Sequence, residues 1–436
     1  MKRKIVIIGA GSTLFTKGFM SDLLNDSRGF EWTMALVDVN AEILKSVTGL
    51  CRKMISAANA SVKLESSVSR RDVLKGADYV VATVGVGGRR AWEHDVFIPR
   101  KYGIYQPVGD TVMPGGISKA MRMVPVMIDI ARDIKELCPD AMFINYSNPM
   151  TVICRAIRKA TGMDVTGLCH GVMNTENHLA GFLSCDKRET ASLCLGINHL
   201  TYIYDLRAGG RNLLPELALK YKASPVEDYT FAWELFRSFG VFPAPGDRHI
   251  VEFFPERFAK GDYYGKKLGV DAYSLEGTIA DGDRGYDETL ALGEEGVPLP
   301  SGFFSKTEGE HEQLTDIINS MEFNERRIFP ANLPNGGMIP DLPDSAVLEM
   351  SAVAGGCGFI PLKAGRIPDA LISTIARHTA IAETVVDAAI YCDRKLFKQA
   401  VMMGGYMLDE NAADSMIGEL LEVQREYLKP GSFSKV

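Results

Sequence analysis

Cys169-His170-Gly171-Val172 and Asn198-His199 are the segments of this 436-residue chain best suited to hold a metal. A thiolate from Cys169 and an imidazole from His199, supplied by separate elements, can bind one divalent ion and leave coordination positions open. Open positions are what a substrate with adjacent hydroxyls would fill. A further polar cluster, Asn145-Tyr146-Ser147-Asn148-Pro149, ends another apolar run. Taken singly, Cys169 would more often be a buried small hydrophobe and His199 a satisfied interior histidine.

A second constellation points to a dinucleotide. Gly9-Ala10-Gly11-Ser12 follows a β-rich run and opens a helical stretch. Gly9 and Gly11 permit a tight turn and let backbone N–H groups approach a pyrophosphate at a helix N-terminus, where Ser12 can add a hydroxyl. The third glycine of the full fingerprint is replaced by Leu14. Asp38 ends the next strand, where a carboxylate accepts from ribose hydroxyls and favours NAD over NADP. Gly85 and Gly87 lie in the loop after the third strand, followed by Arg89 and Arg90, which can anchor a phosphate or an anionic substrate. A solvated surface role is as good a reading for either arginine alone.

The elements that position these groups follow from hydrophobic periodicity. The pattern predicts strands at Lys4–Ile8, Thr33–Val39, Asp78–Val84, Ala141–Tyr146 and Val165–Leu168. Helices are predicted over Leu14–Asn25, Ala41–Ala57 and Val124–Leu137. That alternation implies an α/β fold with a Rossmann-like, doubly wound parallel sheet over residues 1–190. Residues 191–436 then form an α+β domain for substrate, catalysis and oligomerisation, with a strand pair over Thr190–Leu206 and a helical run over Pro368–Val401. No repeat, linker or low-complexity tract interrupts the chain.

Composition narrows the function classes. Apolar residues make up 46% and charged residues 24%, and the net charge is −7, so a basic face for nucleic acid is not expected. No apolar run is long enough for a membrane helix. The run after Met1-Lys2-Arg3-Lys4 leads into the glycine motif and not into a cleavage site, which makes the cytoplasm the expected location. The 8 cysteines contain no CxxC pair, so reduced thiols are expected.

At this point the chain resembles family 4 of the glycoside hydrolases. The resemblance runs through Gly9-Ala10-Gly11-Ser12, Asp38, Ile98-Pro99-x-x-Tyr102-Gly103, Gly115-Gly116 and Arg122. It continues through Asn148-Pro149, Cys169-His170-Gly171-Val172, Asn198-His199 and Asn332-Leu333-Pro334-Asn335-Gly336. It implies a fold like that of lactate and malate dehydrogenases, and a need for NAD and a divalent metal, usually Mn²⁺. By resemblance Cys169 and His199 are the metal ligands, Asn148 contacts sugar hydroxyls, and His170 is the general acid. The implied route differs from two-carboxylate hydrolysis. NAD oxidises C3, a base takes the C2 proton, the aglycone is eliminated, water adds and the hydride returns, with the metal as Lewis acid.

Phospho-glycosidase members use a tyrosine as base, and the corresponding stretch Gly246–Pro255 has none. Asp247 is the first candidate, with His249 and a metal-bound hydroxide behind it, while Glu252 is expected only to hold His249. Cys-His-Gly-Val is most similar to alpha-galacturonidases, which makes alpha-linked hexuronides the expected sugar substrates, galacturonide ahead of glucuronide. Arg248 or Arg90 would then bind the carboxylate as a bidentate partner. An alpha-glucosidase or alpha-galactosidase of the same family is the nearest alternative. A 2-hydroxy-acid dehydrogenase is more distant, because Met150 follows Pro149 where such an enzyme continues with Val-Asp. A noncatalytic NAD-sensing scaffold is the remaining reading. A homodimer or homotetramer is expected, as in the family.

Overall fold

The computed structural model describes residues 1–433 except 27, 259–274, 305–312, 364, 366 and 407–408. Its apolar runs pair into one sheet. Six parallel strands, β1 (Lys2–Ile8), β2 (Glu31–Val37), β3 (Lys63–Ser67), β4 (Tyr79–Ala82), β5 (Met142–Asn145) and β6 (Thr166–Gly167), lie in the order β3-β2-β1-β4-β5-β6. This is the strand order of a doubly wound dinucleotide fold, and the expected fold class holds.

Both faces of the parallel half are covered, as side-chain alternation requires. Ile5 and Ile7 of β1 pack with Phe19 and Met20 of helix Thr13–Asn25 and with Val47 and Leu50 of helix Ala41–Ala57. Val6 and Ile8 face the other way, toward Met123, Met127 and Ile130 of helix Met113–Leu137. Each such buried aliphatic contributes about 1.5–3 kcal/mol.

The sheet does not stop near residue 190. β7 (Thr190–Ile197), β8 (Leu200–Ala208), β9 (Arg211–Asn212), β10 (Phe242–Ala244), β11 (Arg327–Pro334), β12 (Val347–Gly355) and β13 (Gly358–Pro361) join it in antiparallel fashion. The path runs β10-β8-β7-β12-β11-β6, so β11 stitches the second half to the last parallel strand.

Three elements differ from expectation. β3 was not foreseen because Lys-Leu-Glu-Ser-Ser has almost no apolar pattern, as befits an edge strand. The helix expected from Val124 begins at Met113. Its Gly116 lets the first turn meet the preceding loop, since a Cβ there would fall 2.4 Å from the Thr111 carbonyl carbon. The run Pro368–Val401 divides into helices Asp369–Tyr391 and Arg394–Met403. Cys392 is left-handed between them, and Asp393 caps the second by accepting from the N–H groups of Lys395 and Leu396. Among the described residues no helix is long and apolar enough to cross a membrane.

Candidate active site

The carboxyl ends of β5 and β6, the β7–β8 turn and the segment after β10 converge on one cavity of about 360 Å³. Its walls include Asn148, Cys169, His170, His199, Arg248 and His249. The sequence signals from four separate elements therefore meet in one place. The peptide bonds Asn148–Pro149 and Ala244–Pro245, both beside this cavity, are cis.

His199 occupies the β7–β8 turn in a left-handed conformation, φ 69°. Its ring lies 4.0 Å, centroid to centroid, from that of His249. Donor atoms of Asp110, His199 and His249 all lie within 4.8 Å of one another. The Thr111 hydroxyl donates to Asp110 Oδ1 at 2.7 Å and sits 2.8 Å from His199 Nδ1. With its proton committed to Asp110, the hydroxyl accepts from His199 Nδ1–H. That tautomer leaves the lone pair on Nε2, as a ligating histidine requires.

Charge states suit a cation. Burial pushes His199 down to about 4, and burial followed by the neighbouring His199 holds His249 well below the usual histidine range. Burial alone would raise Asp110, but the Lys119 ammonium and the two imidazoles hold it well below the usual carboxylate range. A neutral imidazole from His199 and the Asp110 carboxylate offer donors to a divalent first-row ion, and the neutral His249 imidazole stands beside them. His249 Nδ1 and Asn148 Oδ1 are buried polar atoms without a hydrogen-bond partner in the protein, which fits a site built for a further ligand.

Asn148 Nδ2 donates to Asp110 Oδ2 at 2.9 Å, so the residue expected to touch sugar hydroxyls is tied to the cation cluster. Cys169 lies in the same cavity, and its Sγ accepts from Gly171 N–H at 3.4 Å where helix Gly171–Leu183 begins. It stands outside the three-residue cluster. His170 immediately precedes that helix and also faces the cavity.

Two of the expected site residues are engaged elsewhere. Asp247 lines the cavity, but Oδ2 accepts from Phe231 N–H at 2.8 Å and Oδ1 from Ala232 N–H at 2.9 Å. Both oxygens thus satisfy backbone N–H groups in the first turn of helix Thr230–Phe239. Arg90 does not line the cavity. It is exposed on helix Gly88–Lys101 and pairs with Glu93 at 2.8 Å and Asp283 at 2.5 Å. Arg248 does line it, with one guanidinium N–H donating to Thr278 Oγ1 at 3.0 Å.

Glu252 serves a different group from the one expected. Oε1 accepts from Val108 N–H and Gly109 N–H, each at 2.8 Å, and so fixes the loop that carries Asp110 and Thr111. Burial pushes this carboxyl up to about 8 despite the two bonds.

The glycine motif lies between β1 and helix Thr13–Asn25. Gly9 has φ 91°, and a Cβ there would fall 2.8 Å from the Thr83 carbonyl carbon. Gly11 N–H donates to Asp38 Oδ2 at 2.7 Å, and Asn40 N–H to Oδ1 at 2.9 Å. Ser12 precedes helix Thr13–Asn25 without capping it. Gly85 has open space on its side-chain side, and Gly87 is left-handed at φ 77°. Arg122 holds the loop between them from below, donating from Nε to Val86 O at 2.9 Å. These glycines and Asp38 form a cradle that fits a dinucleotide.

Comparison with known proteins places this geometry. The family profile described as "Family 4 glycosyl hydrolase" matches residues 4–185, and its C-terminal domain matches residues 194–404. The chain belongs to family 4 of the glycosyl hydrolases. It is 31% identical to an alpha-galacturonidase of Bacillus subtilis (strain 168), over 96% of this chain and 97% of that protein. It is 30% identical to an alpha-galactosidase of Rhizobium meliloti (strain 1021), over 98% of this chain and 89% of that protein. In fold it is similar to a 6-phospho-alpha-glucosidase from gut microorganisms, solved in complex with NAD and Mn²⁺. That likeness has TM-score 0.86 at 19% identity, over 98% of this chain and 100% of the other.

For this family 4 glycosyl hydrolase, Asp110, Thr111 and Glu349 were not singled out from sequence. The one local signal is the run Val108-Gly109-Asp110-Thr111, polar residues after a glycine and ahead of Gly115-Gly116. It is too common to stand alone. Their partners lie far away in sequence, as in Thr111 with His199 and Glu349 with Thr201.

Proposed function

We propose that this chain hydrolyses alpha-linked hexuronides, alpha-galacturonides ahead of alpha-glucuronides, using NAD and a divalent cation such as Mn²⁺. The observation that carries the reading is Arg248, a guanidinium in the wall of the cavity that Cys169, His170, Gly171 and the cluster imidazoles His199 and His249 also line. A guanidinium matches a planar carboxylate with two parallel hydrogen bonds, and Arg248 is half-buried in that wall. The likeness to an alpha-galacturonidase supports the same choice.

When bound, NAD would supply reversible oxidation of the sugar ring and the cation would polarise its oxygens. Asp110 and His199 would hold the cation, with Cys169 facing the same space. Gly9, Gly11, Ser12 and Asp38 would hold the dinucleotide, with Gly85 and Gly87 opposite. Asn148 orients sugar hydroxyls through Oδ1, the atom its bond to Asp110 leaves over. His170 donates the proton to the leaving oxygen. His249 replaces Asp247 as the acceptor of the sugar proton, because Asp247 is committed to helix Thr230–Phe239.

The test is a panel of nitrophenyl alpha-galacturonide, alpha-glucuronide, alpha-galactoside, alpha-glucoside and 6-phosphoglucoside, with NAD, Mn²⁺ and a thiol reductant. The uronides should give the highest kcat/KM. Arg248→Met should lower kcat/KM for the uronide by about 100-fold, the loss of a charge-assisted bidentate pair, and far less for a neutral glycoside. A neutral galactoside leading the panel would overturn the assignment.

A further inference from the structure

Glu349 of β12 is buried at 2% exposure, and the chemistry above makes no use of it. Its place in the sheet is specific. It stands opposite Asn332 on β11 and opposite Gly196 on β7. Asn332 in turn stands opposite Gly167 on β6. One line across the sheet, Gly167–Asn332–Glu349–Gly196, therefore joins the strand that delivers Cys169 to the turn that delivers His199. Close packing fixes both ends. A Cβ on Gly167 would fall 2.9 Å from Asn332 Cβ, and one on Gly196 would fall 2.3 Å from Leu200 O.

The side chains repeat this connection. Glu349 Oε1 accepts from Asn332 Nδ2 at 3.1 Å and from Asn198 Nδ2 at 3.4 Å. Oε2 accepts from the Thr201 hydroxyl, which also lies 3.1 Å from Ile197 O. Asn332 Nδ2 reaches on to Gly167 O at 3.4 Å. Asn198 and Thr201 flank His199, whose left-handed backbone costs about 1–2 kcal/mol for a residue with a Cβ. Such a conformation persists only where its surroundings over-determine it. Burial raises the Glu349 carboxyl, and its three donors oppose that rise.

We propose that Glu349 is a positioning residue that sets the spacing between the Cys169-His170 segment and His199, and thereby the geometry of the cation site. It acts through Asn198, Thr201 and Asn332. The assignment also gives a physical reason for Asn198 and Asn332, two motif residues without another role. It rests on the cation reading of the cavity given above.

The experiment titrates the full-length protein with Mn²⁺ alone, reading free Mn²⁺ by electron paramagnetic resonance, without NAD or sugar. His199→Ala tests the underlying reading: unchanged Mn²⁺ affinity there removes the cation site itself, and Glu349's role with it. With that control in place, Glu349→Ala should weaken Mn²⁺ binding by about 10–100-fold, the usual effect of losing a group that orients metal ligands. Glu349→Gln should stay within about 3-fold of wild type, because one amide oxygen can accept from both asparagines. Its NH₂ can then donate to Thr201 Oγ1 while that hydroxyl turns to Ile197 O. Leu348→Ala, a buried neighbour on the other face of β12, should lower Tm without changing Mn²⁺ affinity. If Glu349→Ala fails to fold, Asn198→Ala replaces it, with the same expected direction. A folded Glu349→Ala or Asn198→Ala that binds Mn²⁺ like wild type overturns the proposal, and so does a Glu349→Gln as weak as Glu349→Ala.

Discussion

The Thr111 hydroxyl lies 2.8 Å from Nδ1 of His199 and at the same time donates to Asp110. One hydroxyl thus selects the tautomer of one candidate ligand and orients another. Thr111→Val keeps the volume and removes both bonds. Mn²⁺ affinity should fall by about 10–100-fold, and Thr111→Ser should restore most of it. Equal affinity in the valine variant and wild type would mean that the hydroxyl does not set the site.

Asp247 offers a test that separates a structural carboxylate from a catalytic one. Its two oxygens hold the backbone N–H groups of Phe231 and Ala232 in a buried setting. Asp247→Ala leaves two buried donors unpaired, at about 1–3 kcal/mol each. The expected result is a clear drop in Tm and urea midpoint. Residual kcat, measured well below the new Tm with saturating Mn²⁺, should change by less than about 10-fold. A variant with wild-type Tm and kcat lowered by several orders of magnitude would return Asp247 to the role of base.

How much of this could be read from the chain alone depends on sequence distance. Gly9, Gly11 and the strand before them are contiguous, and Asp38 follows one strand later, so that half was legible. Cys169, His170 and His199 were legible as types, because thiol and imidazole at strand ends carry their own chemistry. Asp110, Thr111, Glu252 and Glu349 were not, because their meaning lies in partners that only folding supplies. Glu252 reaches back to Val108 and Gly109, and Glu349 collects donors from β7, β8 and β11 or their turns. The partners of Asp247 are hidden for the same reason. Nothing local shows that it closes the start of the helix at Thr230. Arg90 stands near the expected crevice in sequence, yet its helix turns it toward Glu93 and Asp283.

His378 gives the fold a pH dependence of its own. It is 3% exposed, donates from Nε2 to Phe253 O at 3.1 Å, and is pushed down by burial to about 4 from 6.5. A depressed histidine stabilises the fold above its unfolded pKa. That stability is lost as pH falls from about 6.5 toward 4, because the unfolded chain takes up the proton first. At about 1.4 kcal/mol per pH unit, His378 should account for about 2 kcal/mol of lost stability between pH 7.5 and 5. His378→Gln should reduce the drop in urea-unfolding free energy over that interval by about this amount. The same pH slope in both proteins would show that His378 does not contribute.

The buried pair of Arg122 and Asp95 links stability to the dinucleotide cradle. Arg122 is 1% exposed and Asp95 0%. The guanidinium forks onto both Asp95 oxygens at 3.0 and 2.6 Å, reaches Gln424 at 2.8 Å, and gives Nε to Val86 O. Gln424 closes the network from the C-terminal segment, donating to Asp95 at 2.6 Å and Ser118 at 3.1 Å. Removing one partner of such a pair leaves a charge buried and costs about 3–5 kcal/mol. Arg122→Met should therefore unfold at markedly lower urea. Arg122→Lys should not rescue it, because one ammonium cannot bond both Asp95 oxygens and Val86 O in the same plane. Since Val86 lies between Gly85 and Gly87, the loss should also weaken NAD binding, measured by quenching of intrinsic fluorescence at a temperature where the variant is folded. An about 10-fold rise in NAD Kd, with Mn²⁺ affinity unchanged, is the expected pattern. A destabilised variant that keeps wild-type NAD affinity would show that the network supports the fold without shaping the loop.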